Sequence, residues 1–315
     1  MKDKHDQFFK HVFKDPENTR SFIRDYLPAK VSKELDLSSV HVHDPGSNSE
    51  EETEYISDIV VSCKTRNGKS AELYFLFEHK SYKDKHIYLQ LLRYLYEAWS
   101  TDYRRKREYR VVIPVVFYHG KSEWNLPVHF IDNFDVSENL KAFMLDFSYL
   151  LFDTNKWHPD LKNPETDNIY LLCSMMLMKM AYHNDWEGVK SILQLMDEKG
   201  LLADRQRVIF IFKYIVYTQE IDKESFIDLL KEYDEGGDIM PVADSIREEG
   251  IQIGELKGEI KRLQETLIKQ MHLKYGITDA EKDFIKSVTD LDKLDKATEA
   301  ILSEDNKEKL LRLLK

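Results

Sequence analysis

Only two cysteines, eleven glycines and eight prolines occur in the 315 residues. Cys63 sits in an apolar strand-like run and Cys173 in an apolar helix-like one, so neither a disulfide framework nor a zinc cluster is suggested, and a reducing compartment suits the chain. So little glycine and proline excludes collagen-like and low-complexity sequence. The opening residues, MKDKHDQFFKHVFKD, are polar at once and lack the apolar stretch of a secretory signal. The most apolar run, Ile169 to Ala181, carries Lys179 and falls short of the roughly 20 residues that span a bilayer. A cytoplasmic protein with no membrane partner is expected. An excess of positive charge is missing too: 46 Lys and Arg stand against 57 Asp and Glu, a net charge of -11. Affinity for duplex DNA comes largely from cations that neutralise phosphates, so a protein that coats nucleic acid over its whole surface is excluded. A local basic surface is not excluded, nor is a carboxylate site whose metal ions cancel charge where a phosphate sits.

What is present is a helix-rich globular composition, 42% hydrophobic and 33% charged, long enough for one large domain or two ordinary ones. Phe8, Phe9, Val12 and Phe13, then Phe22, Ile23 and Tyr26, recur at helical spacing on either side of Pro16, which predicts an opening helical hairpin. The polar stretch from His43 to Tyr55 reads as an exposed loop. Ile56 to Lys64 and Ala71 to Lys80 read as antiparallel strands joined at Asn67-Gly68, a strong hairpin signal. An amphipathic helix is expected from His86 to Trp99, a buried strand from Arg110 to Tyr118, and a short strand within Phe143 to Phe152. That order gives an α/β core with a mixed central sheet flanked by helices over residues 1–165. Beyond it the pattern is all helical: a region over 166–240, a heptad-like helix over 241–275 and a short charged tail over 276–315. Ile246, Ile253, Leu256, Ile260, Leu263 and Leu267 form the heptad seam, interrupted by Gly250, Gly254 and Gly258 at about 1 kcal/mol each in helix propensity. A helix this weak needs a partner, either another copy, most simply in a dimer, or the rest of the chain.

Period-two alternation puts Glu72, Tyr74, Leu76, Glu78 and Lys80 on one strand face, with Glu78 and Lys80 together at its end. Asp58 lies in SDIVV, an acid in a run otherwise suited to a buried strand. On neighbouring strands, Asp58 and Glu78 could hold Mg²⁺ through oxygen ligands, with Lys80 facing the same site. The same charges also suit strand-end caps or ion pairs. Two further E-x-K copies, Glu255-Leu256-Lys257 and Glu259-Ile260-Lys261, fall on the heptad helix, where solvated charge explains them.

Several stretches together resemble one family: HDQFFKHVFKDPE with Leu27-Pro28, SDIV, FLFEHKS, Gln90-x-x-x-Tyr94, Phe117-Tyr118-His119-Gly120 followed by Trp124, and the spaced glycines after Glu248. They are similar to the bacterial recombination-promoting nuclease or putative transposase family, a branch of the PD-(D/E)xK nuclease superfamily, over residues 5 to 275. The resemblance implies a restriction-endonuclease-like core that cleaves double-stranded DNA with Mg²⁺, for which Mn²⁺ can substitute. It assigns Asp58, Glu78 and Lys80 to the superfamily's D, E and K positions. Family members often carry Gln where Lys80 stands, so this chain has the fuller signature.

Gln90 and Tyr94, one turn apart, are candidates to support the site or contact DNA; equally, Tyr94 packs on the sheet and Gln90 flanks it. Asp6 matches the family opening, though an N-cap for the first helix accounts for it. His86 and Lys83 suit a solvated face. His41, His43 and Asp44 lack the remaining ligands of a metallohydrolase pattern. His119 could line a cleft, with Gly120 explained by a turn. Two functions follow as expectations: a metal-dependent DNA endonuclease connected with recombination or DNA mobility, or an inactive nuclease-fold protein acting as an oligomeric binding or assembly module.

Overall fold

The computed structural model describes residues 4–43, 59–78, 86–183, 185–219, 223–233, 240–301, 304 and 306–314; at 74–78, 223, 240–243, 245–247 and 249–257 it describes backbone alone. The chain divides into two compact units, Lys2–Asp238 and Ile239–Lys315.

The first unit opens with the expected hairpin. Helix α1 (Lys4–Lys14) buries Phe8, Phe9, Val12 and Phe13. Helix α2 (Pro16–Tyr26) begins at its proline, with Asp15 accepting from the Glu17 amide at 2.9 Å. It ends at Leu27, which is extended because the Pro28 ring disfavours a helical residue before it. A four-residue turn, α3 (Ala29–Ser32), leads into strand β1 (Leu35–His43). Strand β2 (Ile59–Thr65) pairs antiparallel with β1 and with β3 (Ser70–Glu78). Gly68, at φ 83°, takes the left-handed conformation that this hairpin turn requires.

Helix α4 (His86–Arg104) then carries the chain back so that β4 (Val111–Tyr118) runs parallel to β3. A short helix α5 (Glu138–Lys141) precedes β5 (Leu150–Asp153), parallel to β4, and the sheet order is β1-β2-β3-β4-β5. Both faces are covered. On one, Phe9, Phe13 and Phe22 set their rings 5.2, 5.6 and 5.9 Å from Phe117. On the other, Ile87, Tyr88, Leu91 and Tyr94 pack with Val116, Tyr118, Trp124 and Tyr149. Double coverage explains why β4 reads as one unbroken apolar run. Pro114 is tolerated within it because pairing with β5 starts only at Val115.

Three expectations change. The stretch beginning at His43 was expected to be loop, yet His43 closes β1, a strand that the alternation pattern does not announce. Only Leu35 and Val40 of β1 are buried, and a register shift between Asp36 and His41 breaks the period of two. The last expected strand shrinks to Leu150–Asp153. Helix α4 runs five residues past Trp99, and its end is capped by Arg107 N–H to the Asp102 carbonyl (2.9 Å) and Lys106 N–H to the Tyr103 carbonyl (3.1 Å). This is the Schellman arrangement, in which glycine is the usual left-handed residue. Here it is Lys106, at φ 53°.

Helices α6 (Ile169–Met180), α7 (Trp186–Glu198), α8 (Arg205–Thr218) and α9 (Lys223–Lys231) complete this unit. They join α1 and α2 through polar ties: Asn168 Nδ2 donates to Asn18 at 2.9 Å, and Arg207 meets Asp15 at 3.0 Å. In the second unit α10 (Met240–Tyr275) packs with α11 (Asp279–Ser287), α12 (Leu291–Ala300) and α13 (Lys307–Leu313). The seam residues Leu263 and Leu267, with Met271, are buried among Ile285, Leu294, Ala297 and Leu310. That half of the seam finds its partner within the chain, on the helices that follow it. No described helix is long and apolar enough to cross a membrane.

Lys106→Gly relieves the left-handed strain, so it should stabilise the protein by about 1 kcal/mol. A urea midpoint that falls would show that the lysine side chain contributes more to the fold than its backbone costs.

Candidate active site

The registers Glu78↔Tyr118 and Tyr118↔Asp153 line up the carboxyl ends of β3, β4 and β5 along one sheet edge. Strand β2, antiparallel to them, enters near the same edge, with Ile59 opposite Phe75. Carboxyl ends of parallel strands are where open α/β sheets place ligands, since helices cover the faces and leave the strand ends accessible. Glu78 is the last residue of β3. Its partner on β4 is Tyr118, which packs with Ile87, Tyr88 and Leu91 of α4. Asp58, Lys80 and Lys83 lie outside the described residues, as does Asp44. His86, the first residue of α4, is exposed.

Behind this edge the chain is fastened by buried polar bonds. Asp153 Oδ2 accepts from the Trp124 amide at 2.8 Å, and its Oδ1 accepts from the Asn155 amide at 3.0 Å. Asn155 Nδ2 in turn donates to the Gly120 carbonyl at 3.0 Å. Trp124 Nε1 donates to Tyr149 Oη at 2.9 Å, while the Tyr149 and Tyr88 hydroxyls both donate to the Pro127 carbonyl, at 2.9 and 2.6 Å. Burial pushes the Tyr149 hydroxyl far above its ordinary pKa, so it remains a donor at every working pH. Gly120 is explained by crowding rather than by turn conformation: a Cβ there would stand 2.2 Å from Tyr118 Oη.

A cluster that sequence reasoning did not assemble meets the same edge. His119, fully buried, directly follows Tyr118, and its ring lies 4.9 Å from those of His5 and Tyr182. His5 Nδ1 hydrogen-bonds Tyr214 Oη at 2.8 Å, and its ring is 5.7 Å from Tyr217. His5 stands beside Asp6 in the family opening, which is the only sequence signal for it. That α1, the end of β4 and α8 converge here is a tertiary fact. Asp6 is not an N-cap, because α1 already begins at Lys4; it pairs with Lys10 at 2.7 Å in the first turn, where a negative charge suits the helix dipole.

Tyr94 points to the other end of the sheet. Its hydroxyl donates to Glu72 Oε2 at 2.9 Å. Arg110 bonds Glu72 through Nη1, and its Nε lies 3.0 and 2.9 Å from the two carboxylate oxygens of Asp102. The Arg110 amide also donates to Asp102 Oδ2 at 3.0 Å. Hydrogen bonds from Arg110 hold the buried Asp102 carboxyl below its ordinary pKa. Six residues separate Glu72 from Glu78, about 20 Å along a strand, and Gln90 is exposed on α4. His41 and His43 lie on β1, with His43 Nε2 2.9 Å from Ser62 Oγ. The two cysteines are free and buried, which pushes Cys63 up to about 11 and Cys173 up to about 12, so both stay as unreactive thiols. Among the described residues no group of three or more His, Cys, Asp or Glu is arranged to hold a metal ion.

A profile of the family described as "Putative transposase, YhgA-like" matches residues 3–207. The chain is 26% identical to recombination-promoting nuclease RpnA of Escherichia coli K12 over 253 residues, which cover 79% of the chain and 85% of RpnA. It is 25% identical to RpnC of the same strain, over 79% of the chain and 82% of RpnC. A protein named as a putative inactive recombination-promoting nuclease-like protein, YjiP, is 33% identical over 90 residues, 29% of the chain and 86% of YjiP. No solved structure matches the chain.

Asp102→Asn removes one partner of a buried ion pair and should cost about 3 kcal/mol at neutral pH. Because the folded carboxyl titrates below its ordinary value of 3.8, its contribution is present above that pH and lost as the pH falls through the folded pKa. Urea midpoints of parent and variant should therefore differ at pH 7 and converge in acid. A gap that is the same at both pH values would rule out the charged pair as its source.

Proposed function

The chain belongs to the family described as "Putative transposase, YhgA-like", and from that premise we propose that it is a metal-dependent endonuclease of double-stranded DNA, with Asp58, Glu78 and Lys80 as its active residues. The observation that carries this is the alignment of strand ends: Glu78 closes β3 at the edge where β4 and β5 also end and near which β2 enters. In sequence, Asp58 directly precedes the first residue of β2 and Lys80 follows the last residue of β3 by two. Relatives covered over most of their length are named recombination-promoting nucleases, which supports a connection with recombination or DNA mobility.

Carboxylates are suitable donors for Mg²⁺, with Mn²⁺ as substitute, and the protonated, buried thiols do not compete. Asp58 and Glu78 would hold the ion, which supplies charge neutralisation at the phosphate and an activated water. The Lys80 ammonium would orient the attacking water or offset charge developing on the phosphate. The Tyr94–Glu72–Arg110–Asp102 network fixes α4 on the sheet, and Trp124, Tyr149 and Asp153 fasten the segment after β4; both keep the edge rigid. A relative named inactive favours a second function, an assembly module that keeps the fold without the chemistry. Self-association belongs to the proposal as well. Since Leu263 and Leu267 are buried within their own unit, the contact is assigned to α10 before Ile260.

Asp58→Ala, Glu78→Ala and Lys80→Ala should each reduce cleavage of supercoiled DNA by about a hundredfold or more while melting curves stay near the parent. Chelation should stop cleavage and added Mg²⁺ or Mn²⁺ restore it. Cleavage that survives in Glu78→Ala would reject the assignment, and an inactive parent with all metals supplied would select the assembly module. Light scattering should show a dimer that Ile253→Asp dissociates; a monomeric parent at micromolar concentration would remove self-association.

A further inference from the structure

Four consecutive cations, Arg104, Arg105, Lys106 and Arg107, occur in a chain whose net charge is -11, and no other position has four Lys or Arg in a row. All four are exposed where α4 ends. Beside them four large aromatic residues face solvent: Tyr96 is 67% exposed, Trp99 39%, Tyr103 73% and Tyr109 64%. Residues 96, 99 and 103 lie at helical spacing on one stripe of α4. With Ser100, Tyr109 and Arg110 they line an open pocket of about 660 Å³, within the range of small-ligand sites. Trp99 is held in place by its Nε1 donating to the Arg110 carbonyl at 3.1 Å. The site is separate from the candidate active edge, since β4 starts beside it and ends about 23 Å away at Tyr118.

We propose that this surface binds single-stranded nucleic acid, with unpaired bases stacked on Tyr96, Tyr103 and Tyr109 and phosphates taken by the run from Arg104 to Arg107. Exposed rings present π-faces to unpaired bases, which a duplex keeps stacked on each other, and adjacent cations track the backbone. Charge complementarity excludes the simplest competitor. A second copy docked on the same face about a twofold axis would bring two such cationic runs together. Lys106 points the same way, because a lysine occupies the one non-glycine positive-φ position described, where glycine would relieve strain. The surface needs none of the proposed cleavage chemistry, so binding can be measured in chelator and stands apart from nuclease activity.

Fluorescence anisotropy of labelled oligo(dT), oligo(U) and oligo(dT) annealed to oligo(dA), with the full chain in chelator, tests this. The single strands should bind more tightly than the duplex, and the stronger of the two identifies DNA or RNA as the source. Tyr96→Ala with Tyr103→Ala should weaken single-strand binding about tenfold or more. Lys106→Gly with Arg107→Gln should weaken it too and lower the salt slope by about 0.7 per cation removed. The stabilisation expected for Lys106→Gly separates that loss from misfolding. Single-strand affinity unchanged in the aromatic variant would overturn the proposal. So would a concentration-dependent increase in mass that the aromatic variant abolishes while no oligonucleotide binds.

Discussion

Because β3 and β4 run parallel, the chain between them must return along the sheet, and α4 makes that return as a single helix on one face. Its landing point is fixed by Arg110, which closes on Asp102 near the end of α4, on Glu72 in β3 and, through Glu72, on Tyr94. A guanidinium with two carboxylates in a partly buried place is stable only while each charge keeps its partners. The end of the helix, the start of β4 and the early part of β3 are therefore held together. The β3–β4 register then brings Glu78, Tyr118 and Asp153 to one edge.

The two ends of the sheet have different physical tasks. At the Arg110 end the charges are satisfied internally, while the adjoining helix terminus exposes cations and aromatic rings. At the other end, Asp153, Trp124, Tyr149 and Gly120 close a tightly packed support, and His5, His119, Tyr182 and Tyr214 meet beside it. Rigid elements hold a reacting group better than loops do, and this support lies at the ends of β4 and β5, with β4 pairing directly with β3.

The sequence signals that worked were local. Pro16 after Asp15, Leu27 before Pro28 and Asn67-Gly68 each impose a backbone conformation on their own neighbours, and the observed helix ends and hairpin turn follow. The heptad seam also showed correctly that Leu263 and Leu267 need burial, although it could not say against what. Strand β1 was missed because an edge strand with a register shift buries too few side chains to show alternation. The end of α4 was misjudged because Lys106 occupies the position where glycine would mark a stop.

By itself the sequence determined the α/β core, the helical remainder and the family resemblance, because apolar periodicity and short motifs record constraints between near neighbours. It also placed Glu78 at a strand end. Only the tertiary structure decided that Tyr94 hydrogen-bonds Glu72, that His5 lies against His119, and that α12 and α13 cover the seam. These are contacts between residues far apart in the chain. They depend on strand register and helix packing, which no local pattern of residue types encodes.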